Sequence, residues 1–230
     1  MNYKPILIVP GEPNSVFFEI FFKIIKTKKF KTPIILICSK KLLIMQMKKL
    51  KFNFKINLVS KNNSYFNLKK THLNIINVNY NTKNAFEKIT SKSTRYIEQC
   101  FIIALDLIKT GVTKKLLNGP VSKKYFLRKK YLGITEYLTK KSNSKYSVML
   151  IYNKKLSVSP ITTHLPIKLV SKTITRKNIS NKVFLINNFY LKKFGYKPKI
   201  AILGLNPHCE SIHKYNEDEN IIKPTINYLK

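Results

Sequence analysis

Residues 5–25 read "PILIVPGEPNSVFFEIFFKII": a short apolar run, a turn of Gly and Pro, and then Phe and Ile recurring at helical spacing. A continuous apolar run closed by turn residues fits a strand buried on both faces, and the pattern after it fits a helix that covers such a strand. The unit repeats. "TPIILICS" (32–39) is a second buried-strand candidate, followed by a Leu/Met/Lys segment over 40–50 with helical spacing. "FKINLVS" (54–60) and "HLNIINVN" (72–79) have strand length and composition, and an amphipathic helical pattern over 83–110 ends at Gly111. "KKLLNGPVSK" (114–123) again gives strand, turn and helix start. Further on, "YSVMLIYN" (146–153) and "LSVSPITTH" (156–164) predict paired strands, a helix is expected over 175–194, "PKIAILGLNP" (198–207) predicts a strand and turn, and a last helix starts near "NEDEN" (216–220). Short apolar strands alternating with helices predict an α/β fold with a mainly parallel sheet. The expected division is a first lobe over 1–118 and a second over 119–230.

Bulk composition bounds the function. The chain has 230 residues, enough for one large domain or two small ones. No segment approaches the ~20 uncharged apolar residues of a membrane-spanning helix, and the N-terminal apolar run is too short for a signal peptide, so the expected location is the cytoplasm. Cys38, Cys100 and Cys209 are too few and too widely spaced for a disulfide framework or a CxxC zinc site. The net charge of +34 invites a polyanion or nucleic-acid partner. Against it, of 44 basic residues only Arg95, Arg128 and Arg176 are arginine, and the lysines run through every segment instead of forming one stripe. Abundant Lys, Asn, Ile, Phe and Tyr with no Trp is the composition of a proteome drifting toward A+T-rich codons. Compositional drift is therefore the favoured account of the charge, and a basic protein that binds nucleic acid or another polyanion on a retained α/β scaffold is kept as the rival.

In parallel α/β sheets, ligands bind beyond the carboxyl ends of strands. That rule selects four loops: "PGEPN" (10–14), "NGPVSK" (118–123), "TTHLP" (162–166) and "GLNPHCE" (204–210). Two of the four histidines, His164 and His208, sit in them, and neutral imidazole is a common ligand of divalent metals. The alternative is a pair of loop histidines that cap helices or bond to backbone. His72 and His213 lack such a setting. Among the ten acidic residues, Glu12, Glu136 and Glu210 lie in or beside candidate site loops, where each could hold a substrate ammonium, a metal or a histidine tautomer, or answer a helix dipole. Glu217, Asp218 and Glu219 read as helix-start charges and nothing more. Neither Gly-Pro loop matches a dinucleotide or Walker A fingerprint, although both could present backbone N–H groups to a phosphate, with Lys123 adding charge. Thr135 could donate to a substrate or cap the helix after it.

Taken in order, "PGEPN", "GPVSK" (119–123), "GITEYL" (133–138), "TTHLPI" (162–167) and "GLNPHCE" resemble the 4-hydroxythreonine-4-phosphate dehydrogenase family of vitamin B6 biosynthesis. The resemblance implies a two-lobed fold of the isocitrate and isopropylmalate dehydrogenase type and a homodimer. It implies NAD-dependent oxidation and decarboxylation of 4-phosphooxy-L-threonine, a small phosphorylated amino acid, to 3-amino-2-oxopropyl phosphate. A divalent metal (Zn, Mg or Co) would assist, with His164 and His208 matching two of the family's three metal-ligand histidines and Thr135 a substrate contact. Ile134 stands where the family has a substrate-contacting histidine, and an aliphatic side chain cannot hydrogen bond. The family's last third, with the third metal histidine, would follow Lys230; a truncated or decaying gene, or a complementing C-terminal fragment on a second polypeptide, are the expectations that fit. A phosphotransacetylase-like relative shares the architecture and is the other enzyme class in play.

Overall fold

The opening run forms β1 (Ile6–Val9), and the Phe-rich segment forms α1 (Phe17–Thr27). β2 (Ile34–Cys38) leads into α2 (Lys40–Lys49), and β3 (Ile56–Leu58), β4 (Leu73–Asn77), α3 (Thr94–Lys109) and β5 (Leu116–Asn118) follow. All five strands pair in parallel in the order β3-β4-β2-β1-β5. The α/β parallel sheet expected from the apolar runs is thus present. The described residues are 4–60, 67–128, 130–209 and 215–230, and the chain divides into two units, Met1–Tyr137 and Leu138–Lys230.

In the first unit of this computed structural model, successive strand residues face opposite sides and both sides are covered. Ile8, Leu36, Cys38 and Ile75 pack with Phe18, Phe21 and Phe22 of α1 and Leu42, Leu43 and Met47 of α2. On the other face α3 packs on β1 and β2 and buries Ile97, Phe101 and Ala104. Ser39 caps α2, its Oγ accepting from the Leu42 N–H at 3.3 Å. Gly111, at φ +81°, closes α3: its N–H bonds to Ile108 O and that of Val112 to Leu107 O, both at 3.1 Å. This is the paired C-terminal arrangement a left-handed glycine permits.

The first unit runs past residue 118, where the sequence pattern placed its boundary. Phe126 (tilted) and Tyr137 (edge-on) pack against Phe101 at centroid distances of 5.9 and 5.5 Å and tie residues 119–137 to α3. The helix expected from 83 starts only at Thr94. A carboxylate oxygen of Glu87 accepts from Thr82 Oγ1 and from the N–H groups of Lys83 and Asn84, which folds 82–87 into a loop. Local side-chain bonds of this kind compete directly with the helix.

The second unit has helices α5 (Ile167–Thr173), α6 (Arg176–Phe194) and α7 (Lys223–Leu229), with the unit boundary falling inside α4 (Ile134–Lys141). Thr175 caps α6 through its Oγ1, and Gly195 ends it at φ +79°. The helix expected near 216–220 begins as a π-type turn over Asp218–Ile222 and continues into α7. The strands expected here do not form. Segments 146–153 and 156–164 share a single antiparallel bridge, Ile151 with Val158, and 198–204 is extended chain without a ladder, leaving Leu203 84% exposed. A strand is stable only where a neighbour takes up its N–H and C=O groups. The unit is held instead by a small core of Ile174, Ile179 and Ile222, against which Ile202 and Leu205 pack.

Candidate functional site

The strand order reverses between β1 and β5, the place where an open parallel sheet ordinarily receives its ligand. Here that place is occupied by the chain itself. The "PGEPN" and "NGPVSK" loops are joined by Gly119 N–H to Val9 O and Glu12 N–H to Pro120 O, both at 2.8 Å. A Cβ on Gly11 would collide with Pro120 O, and one on Gly119 with Pro10 O. The glycines permit this close backbone approach. Glu12 is only 3% exposed and accepts from Ser93 Oγ at 2.9 Å. Burial pushes its carboxyl above the ordinary value, although the bonds from Ser93 and Asn14 act the other way. It is a lock between elements of the first unit. Lys123 is exposed at the start of the π-type turn Lys123–Leu127, and Ser122 caps that turn through its Oγ.

Thr135 and Ile134 open α4, both half-buried. The aromatic cluster seats them: the ring of Tyr137 meets Phe126 at 4.9 Å and Tyr131 at 5.3 Å. Glu136, next along the helix, is also half-buried. Glu210 and His213 fall outside the described residues.

Both metal-candidate histidines belong to the second unit, and both are exposed. His164 lies just ahead of α5 and carries a left-handed backbone, φ +55°. Such a conformation in a residue other than glycine marks a loop shaped against local preference. His208 rides on 204–209, a loop pinned from below. The Asp218 carboxylate accepts from the N–H of Leu205 at 2.8 Å, the N–H of Asn206 at 3.1 Å and Asn206 Nδ2 at 2.7 Å. The loop closes on itself as the Cys209 N–H reaches Asn206 O at 3.1 Å. A side chain at Gly204 would strike Cys209 Sγ and crowd Asp218 Oδ1. Asp218 is 4% exposed, which corrects its reading as a mere helix-start charge. Burial would raise its carboxyl, but the three donors outweigh burial and hold it below the ordinary value.

No cluster of three or more His, Cys, Asp or Glu able to hold a metal ion forms among the described residues. As nitrogen donors His164 and His208 are of a kind a divalent ion accepts, and the other positions would fall to substrate oxygens or donors from another chain. Sequence reasoning passed over one other concave region, at the carboxyl ends of β2 and β4. A cavity of about 450 Å³ there is lined by Ser39, Lys40, Asn77 and Tyr80, and one of about 660 Å³ by Tyr80, Lys83, Lys92 and Arg95. The carboxyl-end rule applied to "ICSK" (37–40) and "INVNY" (76–80) would have found it.

Residues 29–230 match the family model described as pyridoxal phosphate biosynthetic protein PdxA. The chain belongs to the PdxA family. A 4-hydroxythreonine-4-phosphate dehydrogenase of Sulfurihydrogenibium sp. (strain YO3AOP1) is 32% identical, aligned over 97% of this chain and 70% of that protein. One of Aquifex aeolicus is 31% identical over 94% of this chain and 67% of its own length. Among solved structures, the dehydrogenase of that name from Klebsiella pneumoniae superposes with a TM-score of 0.83 at 21% identity, covering 98% of this chain and 71% of that one. The Burkholderia phymatum protein gives 0.81 at 21% identity, over 99% and 71%. These structural likenesses establish the PdxA fold, and the sequence matches establish membership in a family of dehydrogenase-named proteins. Among the described residues, no helix is long and apolar enough to cross a membrane.

Proposed function

We propose that this PdxA-family chain is a 4-hydroxythreonine-4-phosphate dehydrogenase, oxidising 4-phosphooxy-L-threonine with NAD and a divalent metal (Zn, Mg or Co). Loss of carbon dioxide from the keto acid then gives 3-amino-2-oxopropyl phosphate. The observation that carries the reading is the exposure of His164 and His208 on two loops of one unit, in a chain matched to the family over 29–230.

His164 and His208, as neutral imidazoles, would hold the ion through ring nitrogens. The chemistry the ion supplies when bound is Lewis-acid polarisation of the substrate hydroxyl and of the carbonyl that develops from it. Hydride acceptance is the chemistry NAD supplies. Thr135 donates its hydroxyl to the substrate from the first turn of α4. Ile134, unable to hydrogen bond, leaves one substrate polar group to solvent or to another donor. Since the chain offers two imidazole ligands among its described residues, the reading includes a homodimer or a complementing polypeptide as the source of further donors. The chain spans about 70% of the length of the Sulfurihydrogenibium relative.

The test is NADH formation from 4-phosphooxy-L-threonine and NAD with each of the three metals. It is run on the chain alone and mixed with a polypeptide supplying the remaining length of a relative. Metal-dependent NADH in either arm supports the reading, and none in any arm overturns it.

A further inference from the structure

The loop bearing His208 has no strand ahead of it to shape it, since 198–204 is extended chain without a ladder. Most of the bonds that hold it go to one carboxylate, Asp218, with Asn206 Nδ2 also reaching Glu217 Oε2 at 3.4 Å. Asp218 Oδ1 takes the Leu205 N–H, and Oδ2 takes both the N–H and the side-chain amide of Asn206. Charge-assisted bonds of this kind are about twice as strong as neutral ones. Behind the carboxylate, the turn that carries it is itself fixed. Asn216 Oδ1 accepts from the Glu219 N–H at 2.8 Å, Asn220 Oδ1 accepts from the Asn216 N–H at 3.0 Å, and Ile222 enters the core with Ile174 and Ile179. A continuous path therefore runs from the unit's core through Asp218 to the backbone two residues from His208.

We infer that Asp218 is the positioning residue for His208, presetting the 204–209 loop so that its imidazole meets a divalent ion without first being ordered. The inference rests on the proposed metal role of His208. Asn at this position keeps one acceptor and turns a donor toward groups that are themselves donors. Gly204 belongs to the same device, because any side chain there would occupy the space of Cys209 Sγ and press on the carboxylate.

Titration of the 230-residue chain with Co²⁺, followed by calorimetry and by the visible spectrum of the bound ion, separates the possibilities. Asp218→Asn weakens binding about tenfold, the loss typical of removing a partner just outside the ligand shell. Asp218→Glu, which keeps the charge, recovers some of it. Ile179→Ala, which opens the same small core, lowers the melting temperature and leaves Co²⁺ affinity unchanged. Wild-type affinity in Asp218→Asn overturns the inference, as does a loss in Ile179→Ala equal to that in Asp218→Asn at matched melting temperature. If Asp218→Asn does not fold, Asn206→Ala takes its place: it removes one of the three bonds and is expected to weaken binding several-fold, and unchanged affinity there overturns the inference as well. His208→Ala tests the underlying reading by itself. Binding that survives it removes the metal role, whereas binding lost in His208→Ala but intact in Asp218→Asn removes only the positioning role.

Discussion

"PIILICS" at 33–39 and "PKIAILG" at 198–204 are nearly the same message in sequence, a proline and then a run of aliphatic residues. The first becomes β2, a central strand with Ile35 and Ile37 wholly buried, and the second lies as extended chain with Leu203 84% exposed. The difference lies in the neighbours. β2 has β1 on one side and β4 on the other, and helices over both faces. Segment 198–204 pairs with no strand among the described residues. An apolar run states a demand for partners, and the rest of the chain decides whether it is met.

The widest gap should appear on truncating an aromatic in the first unit. Phe22 is fully buried and stacked among Phe18, Phe52 and Phe54, so Phe22→Ala should cost about 3–5 kcal/mol in urea unfolding. Leu203→Ala should change stability by less than about 0.5 kcal/mol. A large cost at Leu203 would mean that 198–204 finds a partner in solution, and the comparison would break. Next in size is Gly119→Ala. The new methyl must force apart the loops that the Gly119–Val9 and Glu12–Pro120 hydrogen bonds join, at a cost of about 1–3 kcal/mol, with the loss confined to unfolding of the first unit.

The smallest effect is one of sign. Each unit contains a buried carboxylate, and the two are perturbed oppositely. Glu12 is raised above 4.5, so it favours the folded state fully below 4.5 and that contribution is lost as pH rises through its raised value. Asp218 is lowered below 3.8, so its contribution is present above 3.8 and is lost as pH falls through its lowered value. Stability measured against pH should therefore flatten above pH 4.5 in Glu12→Gln and below pH 3.8 in Asp218→Asn. Equal slopes in both variants would show that the two carboxylates do not differ as their surroundings imply.

The sheet of the first unit was legible because its order is local: each strand is a short apolar run ended by turn residues, and the helix after it repeats Phe, Leu or Met at helical spacing. Legibility failed where distant groups decide. Nothing within 83–93 announces that Glu87 will gather Thr82, Lys83 and Asn84 into a loop. The two Gly-Pro loops looked open to ligand because each was read alone, and their joining depends on β1 and β5 being neighbours across about a hundred residues. His164 and His208 stood out by scarcity and setting, but the group beneath His208 did not. Asp218 sits in a run of acids before a helix, where a dipole explanation suffices, and only the folded chain brings Leu205 and Asn206 onto it.

Cys209 follows His208 directly and is exposed, while Cys38 and Cys100 are buried, with burial pushing the Cys100 thiol up to about 12. The folded protein thus presents one addressable thiol, and it sits beside a proposed ligand on the loop that Asp218 holds. A thiol reagent can therefore mark the loop in the folded state, next to the proposed ligand, at a point where the two buried thiols give no competing signal.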